Sequence, residues 1–448
     1  MGKRLLLLVA ASVLVTVVTE RAGADELTEL KEQLIKQQQM IEKQNQMIEQ
    51  MLARIEQLET QQQQQGQQME TKISEAVEQK KVGALPDSIK WVENVKISGD
   101  LRYRHESIDA EGSNNRWADG RSRHRIRARL MLKAMIDGDW DVVLRLASGA
   151  ADPVSTNQTL DEGFSRKEFR LDMAYFDWHP AKIRGLNVFG GKMKFPLYNV
   201  GDNELIWDGD LTPEGLAASY AMPLGEGGKN TLHINGGAFW AEESSSDADQ
   251  SLWAAQAYLK HAFDEDTYLL GGASYYDYGN LRRRTTIFDS QDGFGNTTFE
   301  IVSDDPATTC CDETELGYVS DYDLLEFFAE YGTKVRGMPV SVFGNYVKNT
   351  VAATGEDTGW LIGGKLNKAK EPGSWELAYN YRELEADAVL GVFSDSDFIG
   401  GGTDGKGHEF GFTYQFTKRI QGALSYFLDE RGDDNDYRRL QADVIFKF

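Results

Sequence analysis

The sequence predicts an all-β transmembrane protein: a sixteen-stranded antiparallel β-barrel preceded by an α-helical coiled coil. Three observations carry this. Sixteen segments after about residue 91 alternate apolar and polar with period 2, most of them near the ~9–11 residues a tilted membrane strand needs. The joints between them alternate short and long. The segment before them has period 3.5 instead.

The elements follow in chain order. Lys3 and Arg4, the apolar run Leu5 to Val18, and the small-residue site Ala22-Gly23-Ala24 read as a secretory signal over 1–24. The alternative is an uncleaved anchor. The 448-residue chain carries a formal charge of −23, and removing Lys3, Arg4, Glu20 and Arg21 takes away a net +2 to leave −25. So acidic a chain has no footprint for nucleic acid. No later stretch reaches the run of about 20 apolar residues that a membrane helix requires.

Residues 25–81 lack Pro and are rich in Glu, Gln and Lys, which suits a long helix. Leu27, Leu34, Ile41, Ile48 and Ile55 hold successive a positions, while d positions mix Leu30, Met51 and Leu58 with Gln37 and Gln44. That pattern predicts a coiled coil, and the polar d residues leave the number of strands open. A solvated single helix is the alternative. Residues 82–94, opening on V-G-A-L-P-D, form a linker, and 95–448 form the barrel domain.

The predicted strands lie near 95–105, 122–136, 140–148, 167–178, 185–194, 215–223, 230–240, 251–261, 267–279, 323–334, 339–348, 358–367, 372–382, 407–416, 419–428 and 437–448. Short joints include Asp137-Gly138-Asp139, Arg336-Gly337 and Thr417-Lys418. Long ones lie near 106–121, 149–166, 195–214, 241–250, 280–322, 349–357, 383–406 and 429–436. A soluble sandwich has no reason to sort its loops in this way, whereas a membrane barrel turns tightly on one side and loops widely on the other. Rows such as Phe410, Phe412, Tyr414, Phe416 and Leu424, Tyr426, Leu428 mark a lipid face. Trp140, Trp178, Trp375, Phe416 and Phe448 at the turn side, with Trp240, Trp253, Trp360 and Tyr426 at the loop side, fit two aromatic girdles. The segment 267–279 alternates poorly, and its faces stay unassigned.

Four arginines, Arg123, Arg125, Arg127 and Arg129, take every second position of one strand and so share a face. Arginine on the lipid face near midplane would cost about 2–4 kcal/mol each, which turns them to the lumen. Arg102 and Arg104 join them by parity from the preceding strand, and Arg145 and Arg170 extend the group. A basic face of a soluble sheet is the alternative reading.

Several motifs carry a resemblance: K-I-S-G-D-L-R-Y-R at 96–104, R-S-R-H-R-I-R-A-R-L at 121–130, F-P-L-Y-N-V-G-D-N-E-L-I-W-D-G-D-L-T-P-E-G at 195–215, and the terminal Phe448. Over its whole length the chain resembles the Gram-negative outer-membrane porins that carry an N-terminal coiled coil before the barrel. The resemblance implies passive diffusion of small hydrophilic solutes and ions, a homotrimer, and Phe448 as the signal read by the barrel-assembly machinery. It also implies that the third long loop, 195–214, folds inward. Its Asp202, Glu204, Asp208 and Asp210, with Glu214 after them, would then face the arginines and set a field across a narrow gap.

Arginines in excess of the loop carboxylates favour weak anion preference, and acidic loops at 241–250, 303–323 and 429–436 argue against it. Those loops read as solvated surface, with divalent-cation bridges to lipopolysaccharide as an alternative. Outer-membrane lipids surround the barrel, and the helix would sit in the periplasm. About 50 helical residues would reach roughly 75 Å, long enough for an envelope tether that touches peptidoglycan. A substrate-selective anion channel of the phosphate type is a further alternative. Cys310 and Cys311 are adjacent and supply no disulfide framework. The chain has no H-E-x-x-H, G-x-S-x-G or Walker-type loop, so no enzyme activity, cofactor or metal is expected.

Overall fold

The computed structural model describes residues 92–112, 116–117, 120–225, 227–243, 248–302, 314–432 and 435–448, with scattered positions between 31 and 54. The chain divides into two units, 1–90 and 91–448. In the first, the described positions, among them Lys31, Ile35, Glu42, Gln50 and Arg54, are helical. The signal segment, the a and d seam of 25–81, the bulk of the linker and the Cys310-Cys311 pair lie outside the described residues.

The second unit is a sixteen-stranded antiparallel barrel. Its strands are β1 (Val95–Gly112), β2 (Arg121–Asp137), β3 (Trp140–Ser148), β4 (Phe169–Trp178), β5 (Leu186–Lys192), β6 (Glu214–Leu224), β7 (Asn230–Glu242) and β8 (Gln250–Ala262). These are followed by β9 (Tyr268–Gly279), β10 (Asp323–Val335), β11 (Met338–Asn349), β12 (Thr358–Asn367), β13 (Trp375–Leu384), β14 (Gly405–Gln415), β15 (Ile420–Arg431) and β16 (Asn435–Lys447). Each strand pairs with the next, and β16 returns to β1 in a ladder from Asp100↔Lys447 to Ala110↔Tyr437. Closure removes both sheet edges. Phe448 completes the seam: its N–H donates to the Gly99 carbonyl at 3.1 Å, and the Gly99 N–H donates back at 3.1 Å. A Cβ on Gly99 would meet the Arg129 carbonyl oxygen at 2.2 Å, so the seam needs glycine there.

Side chains alternate as the pleat demands. Leu101, Tyr103, Leu377, Tyr379, Phe410, Phe412, Leu424 and Tyr426 point outward and are exposed, as are the girdle residues Trp140, Trp240, Trp253, Trp360, Phe416 and Phe448. The first strand runs seven residues beyond its predicted end at 105. There Glu106 to Gly112 carries only Ile108 and Ala110 as apolar side chains and looks like loop, yet its ladder with β2 continues to Ile108↔Arg121.

The inner face of β9 explains its poor alternation. Leu270, Tyr276 and Tyr278 point inward and are buried, while Leu269 and Tyr275 point outward. Both faces are apolar because the lumen here is not wet. Trp207 of the third long loop packs on Tyr276 and Tyr278 at ring-centroid distances of 5.3 and 6.3 Å. Leu205, Ile206 and Trp207, with Leu281, Tyr318 and Tyr322 of the loop after β9 and Val389, Leu390, Phe398 and Ile399 of the loop after β13, form one buried core. Leu252, Phe328, Phe343, Val347 and Leu361 supply its barrel side. Three loops thus fill the lumen along β7–β13, where the family resemblance implies inward folding of one.

Candidate functional site: a charged wall facing the inward loops

The charged part of the inner wall belongs to β1–β3 and β14–β16, and its residues come from strand parity. Across β1 and β2 the facing pairs are Asp100↔Arg129, Arg102↔Arg127, Arg104↔Arg125 and Glu106↔Arg123. Two like-charge pairs are stacked between two opposite-charge pairs. Like charges directly opposed are unfavourable, and the wall offsets this with carboxylates from the strands themselves. Arg127 and Arg129 donate to Asp100 at 2.9 and 2.7 Å. Arg104 makes a bidentate contact with Asp443 of β16 at 2.7 and 2.8 Å. Glu106 is fully buried and receives Arg123, together with Arg439 at 2.8 Å, Arg104 at 3.5 Å and Arg125 at 3.5 Å. Arg145 is held by Asp172, which a bulge in β4 inserts opposite it.

The third long loop crosses the lumen from β5 and lies against this wall. Gly201 has φ +62°, and a Cβ there would sit 2.5 Å from the Phe343 ring, so glycine lets the loop pass. Asp210 reaches Arg129 at 3.3 Å and Arg127 at 3.9 Å, and it accepts from the Thr156 hydroxyl at 2.9 Å. Burial pushes the Asp210 carboxyl up, but Arg127, Arg129 and Arg102 outweigh it and hold the group below its ordinary value.

Glu204 and Asp208 behave oppositely. Burial, then the Asp208 and Asp395 charges, push Glu204 well above the usual carboxylate range. Burial, then Asp395 and Asp210, do the same to Asp208. The carboxylate oxygens of Glu204, Asp208 and Asp395 lie within 4.8 Å of one another, a donor set able to hold a cation. Asp208 also joins two loops: its N–H donates to the Phe393 carbonyl at 2.9 Å, and it accepts from the Ser396 N–H at 3.0 Å. Asp397, beside it, is pushed up by burial but held low by Arg439 and Arg104. A cavity of about 370 Å³ runs between the two sides, lined by Arg102, Arg127, Arg129, Arg145, Lys194, Glu204, Asp208, Asp210 and Asp397.

The structure brings together Arg102, Arg104, Arg123, Arg125, Arg127, Arg129, Arg145, Glu204, Asp208 and Asp210. It separates three of the sequence candidates from them. Arg170 sits at the loop end of β4, half exposed, and pairs with Glu168. Asp202 has crossed to the far wall, where Lys365 of β12 donates to it at 2.7 Å. Glu214 is exposed on β6 and pairs with Lys192 at 3.0 Å. Arg170 is taken by a carboxylate two residues away, whereas Asp202 and Glu214 are each captured by a lysine that only the fold brings near.

Sequence reasoning missed the counter-charges. Asp100 and Glu106 share the parity of Arg102 and Arg104, and Arg439, Gln441 and Asp443 share one face of the last strand, so the signal was present. Their meeting depends on barrel closure. Arg382 was missed as well: buried, it pairs with Asp395 at 2.6 Å and Glu409 at 2.7 Å and lies 4.6 Å above the Phe398 ring.

A family model described as "Putative porin" matches residues 114–437. No curated protein sequence matches the chain. Among solved structures, OprB of Pseudomonas putida, in a high-pH form, aligns at TM-score 0.52 with 12% identity, covering 80% of this chain and 95% of that one. OmpF of Salmonella typhi, in a complex with daunomycin, aligns at TM-score 0.47 with 12% identity over 79% of this chain and 97% of that one. OmpT of Vibrio cholerae, as a loop-deletion mutant, aligns at 0.44 with 13% identity over 79% and 99%.

Proposed function

The chain belongs to the porin family whose model it matches over most of its barrel, and from that membership we propose an outer-membrane diffusion channel for small hydrophilic solutes and ions. One observation carries the reading: a closed barrel, apolar outside, keeps a cavity of about 370 Å³ between its charged inner wall and the charged residues of an inward loop. A purely structural barrel has no use for a cavity lined by opposed charges. The cavity between the arginines and Asp210, Glu204 and Asp208 is the constriction in this reading, and the opposed charges orient whatever passes.

Selectivity is weak and leans toward anions. It is weak because Asp100, Glu106, Asp172 and Asp443 neutralise much of the ladder. It leans toward anions because Arg102 and Arg125 share their carboxylates with other arginines, and each keeps an Nε with no hydrogen-bond partner. In this reading the coiled coil expected from the heptads of 25–81 lies in the periplasm, the assembly is a homotrimer by family resemblance, and Phe448 serves insertion by the assembly machinery. Single-channel recording in planar bilayers, with the reversal potential under a KCl gradient, tests the reading. Stable ohmic steps with mild anion preference are expected, inverted by Arg125→Glu/Arg127→Glu. Folded protein without conductance would leave the envelope tether in its place.

A further inference from the structure

At the loop end of the charged wall lies a second cavity, of about 400 Å³. This is within the size range of small-molecule sites. Its barrel side presents Arg121, Arg123, Arg125 and Arg439. Arg123, Arg125 and Arg439 share one carboxylate, Glu106, and Asp397 adds a second to Arg439. Arg121 is exposed and has no ion-pair partner among the described residues. Arg439, 2% exposed, and Arg125 each keep a buried Nε without a hydrogen-bond partner. Arg125 also donates to Ser155 Oγ and the Asn157 carbonyl, Arg439 to the Ser396 and Asp397 carbonyls, and Asp152 lines the cavity, so four guanidinium groups meet three carboxylates, Glu106, Asp397 and Asp152.

The loop side is mixed, with Asp152, Ser155, Ser394 and Ser396 beside an apolar part. Phe288 and Phe294 line it, and both hold left-handed backbone, with φ of 72° and 49°. That conformation is costly for a bulky residue and collects at ligand-binding sites. Phe288 remains 52% exposed. Val154 and Val392 continue the apolar side. A hydrated inorganic ion uses only the arginines, and a neutral apolar solute uses only the rings.

We propose that this cavity binds organic monoanions that join a carboxylate to an apolar or aromatic body. The carboxylate lies on Arg121 and Arg125 through charge-assisted hydrogen bonds, and the body lies on Phe288 and Phe294. The proposal deepens the channel reading by naming a solute class for its mouth.

Benzoate is the probe, used with the full-length protein. Titration calorimetry in detergent reads equilibrium binding, and current through the reconstituted channel reads block. Saturable benzoate binding with concentration-dependent block is expected. Acetate, which lacks the ring, and benzyl alcohol, which lacks the charge, bind at least about tenfold more weakly, a loss of about 1.4 kcal/mol each. Arg121→Gln and Phe288→Ala, both at exposed positions that the fold does not need, each weaken benzoate by about tenfold. Arg170→Gln retains it.

Equal affinity for acetate and benzoate would reduce the site to bare electrostatics and overturn the proposal, as would either variant binding like wild type. Conductance with no benzoate response rejects the site and spares the channel. Benzoate binding without conductance does the reverse.

Discussion

Replacing Trp207 tests whether the loops that narrow the lumen are held by packing. The indole is 2% exposed, stacks on Phe195 at 4.3 Å between ring centroids, and meets Tyr276 edge-on at 5.3 Å. Trp207→Ala leaves a hole on a face that the barrel cannot close, because the strands are fixed by their ladders. Truncating a buried aromatic in such a setting costs about 3–5 kcal/mol. The barrel survives that loss. The docked state of the third loop bears it, and its docked-to-undocked ratio falls roughly a hundred- to a few-thousand-fold.

Ion pairs from Asp210 to Arg127 and Arg129 still tether the loop, so it detaches in episodes rather than permanently. The assay is single-channel recording, read for mean conductance and open-channel noise, together with limited proteolysis within 195–213. Higher conductance, more noise and a new cleavage site are expected. Trp253→Ala, at an outward position 61% exposed, serves as the control and changes none of these. Wild-type conductance, noise and protease resistance in Trp207→Ala would refute the argument that this packing holds the loop in the lumen.

Glu106→Gln strips the shared counter-charge from Arg104, Arg123, Arg125 and Arg439, and breaking one partner of a buried pair costs about 3–5 kcal/mol; thermal unfolding should occur earlier and the reversal potential should move toward anions. Glu204 and Asp208 hold their protons more tightly in the folded loops than in the free chain. Their contribution to loop docking is therefore complete below the ordinary carboxylate range and is lost as pH rises through the raised values. Over that window the charge added to the cavity shifts the reversal potential toward cations, and the titration flattens in Glu204→Gln/Asp208→Asn. Gly99→Ala drives a methyl group into the Arg129 carbonyl at the closure seam, an overpacking cost of about 1–3 kcal/mol, read as a lower heat-denaturation temperature of the folded barrel on semi-native gels.

The barrel was legible in the chain because a membrane strand must satisfy lipid on one side with every second residue, whatever its neighbours do. Sixteen alternating segments with alternating joint lengths, the arginine face of β2 and the girdles depend on that local rule, and all follow from the sequence alone. The sequence also named Arg127, Arg129 and Asp210, which the structure brings into contact, since parity and loop position are local properties.

What the tertiary structure decided is everything that depends on which residues meet across the lumen. Barrel closure sets Asp443 and Arg439 beside Arg104 and Glu106, more than three hundred residues away in the chain. Inward folding of three loops makes the inner faces of Leu270, Tyr276 and Tyr278 dry, so the alternation of β9 fails for a physical reason that no window of its own residues contains. The same folding sends Asp202 to Lys365 and leaves Glu214 with Lys192, because a carboxylate pairs with the cation that the fold brings within reach. Alternation is a relation of a strand to its solvent and can be read along the chain; charge compensation is a relation between distant strands and exists only once the barrel has closed.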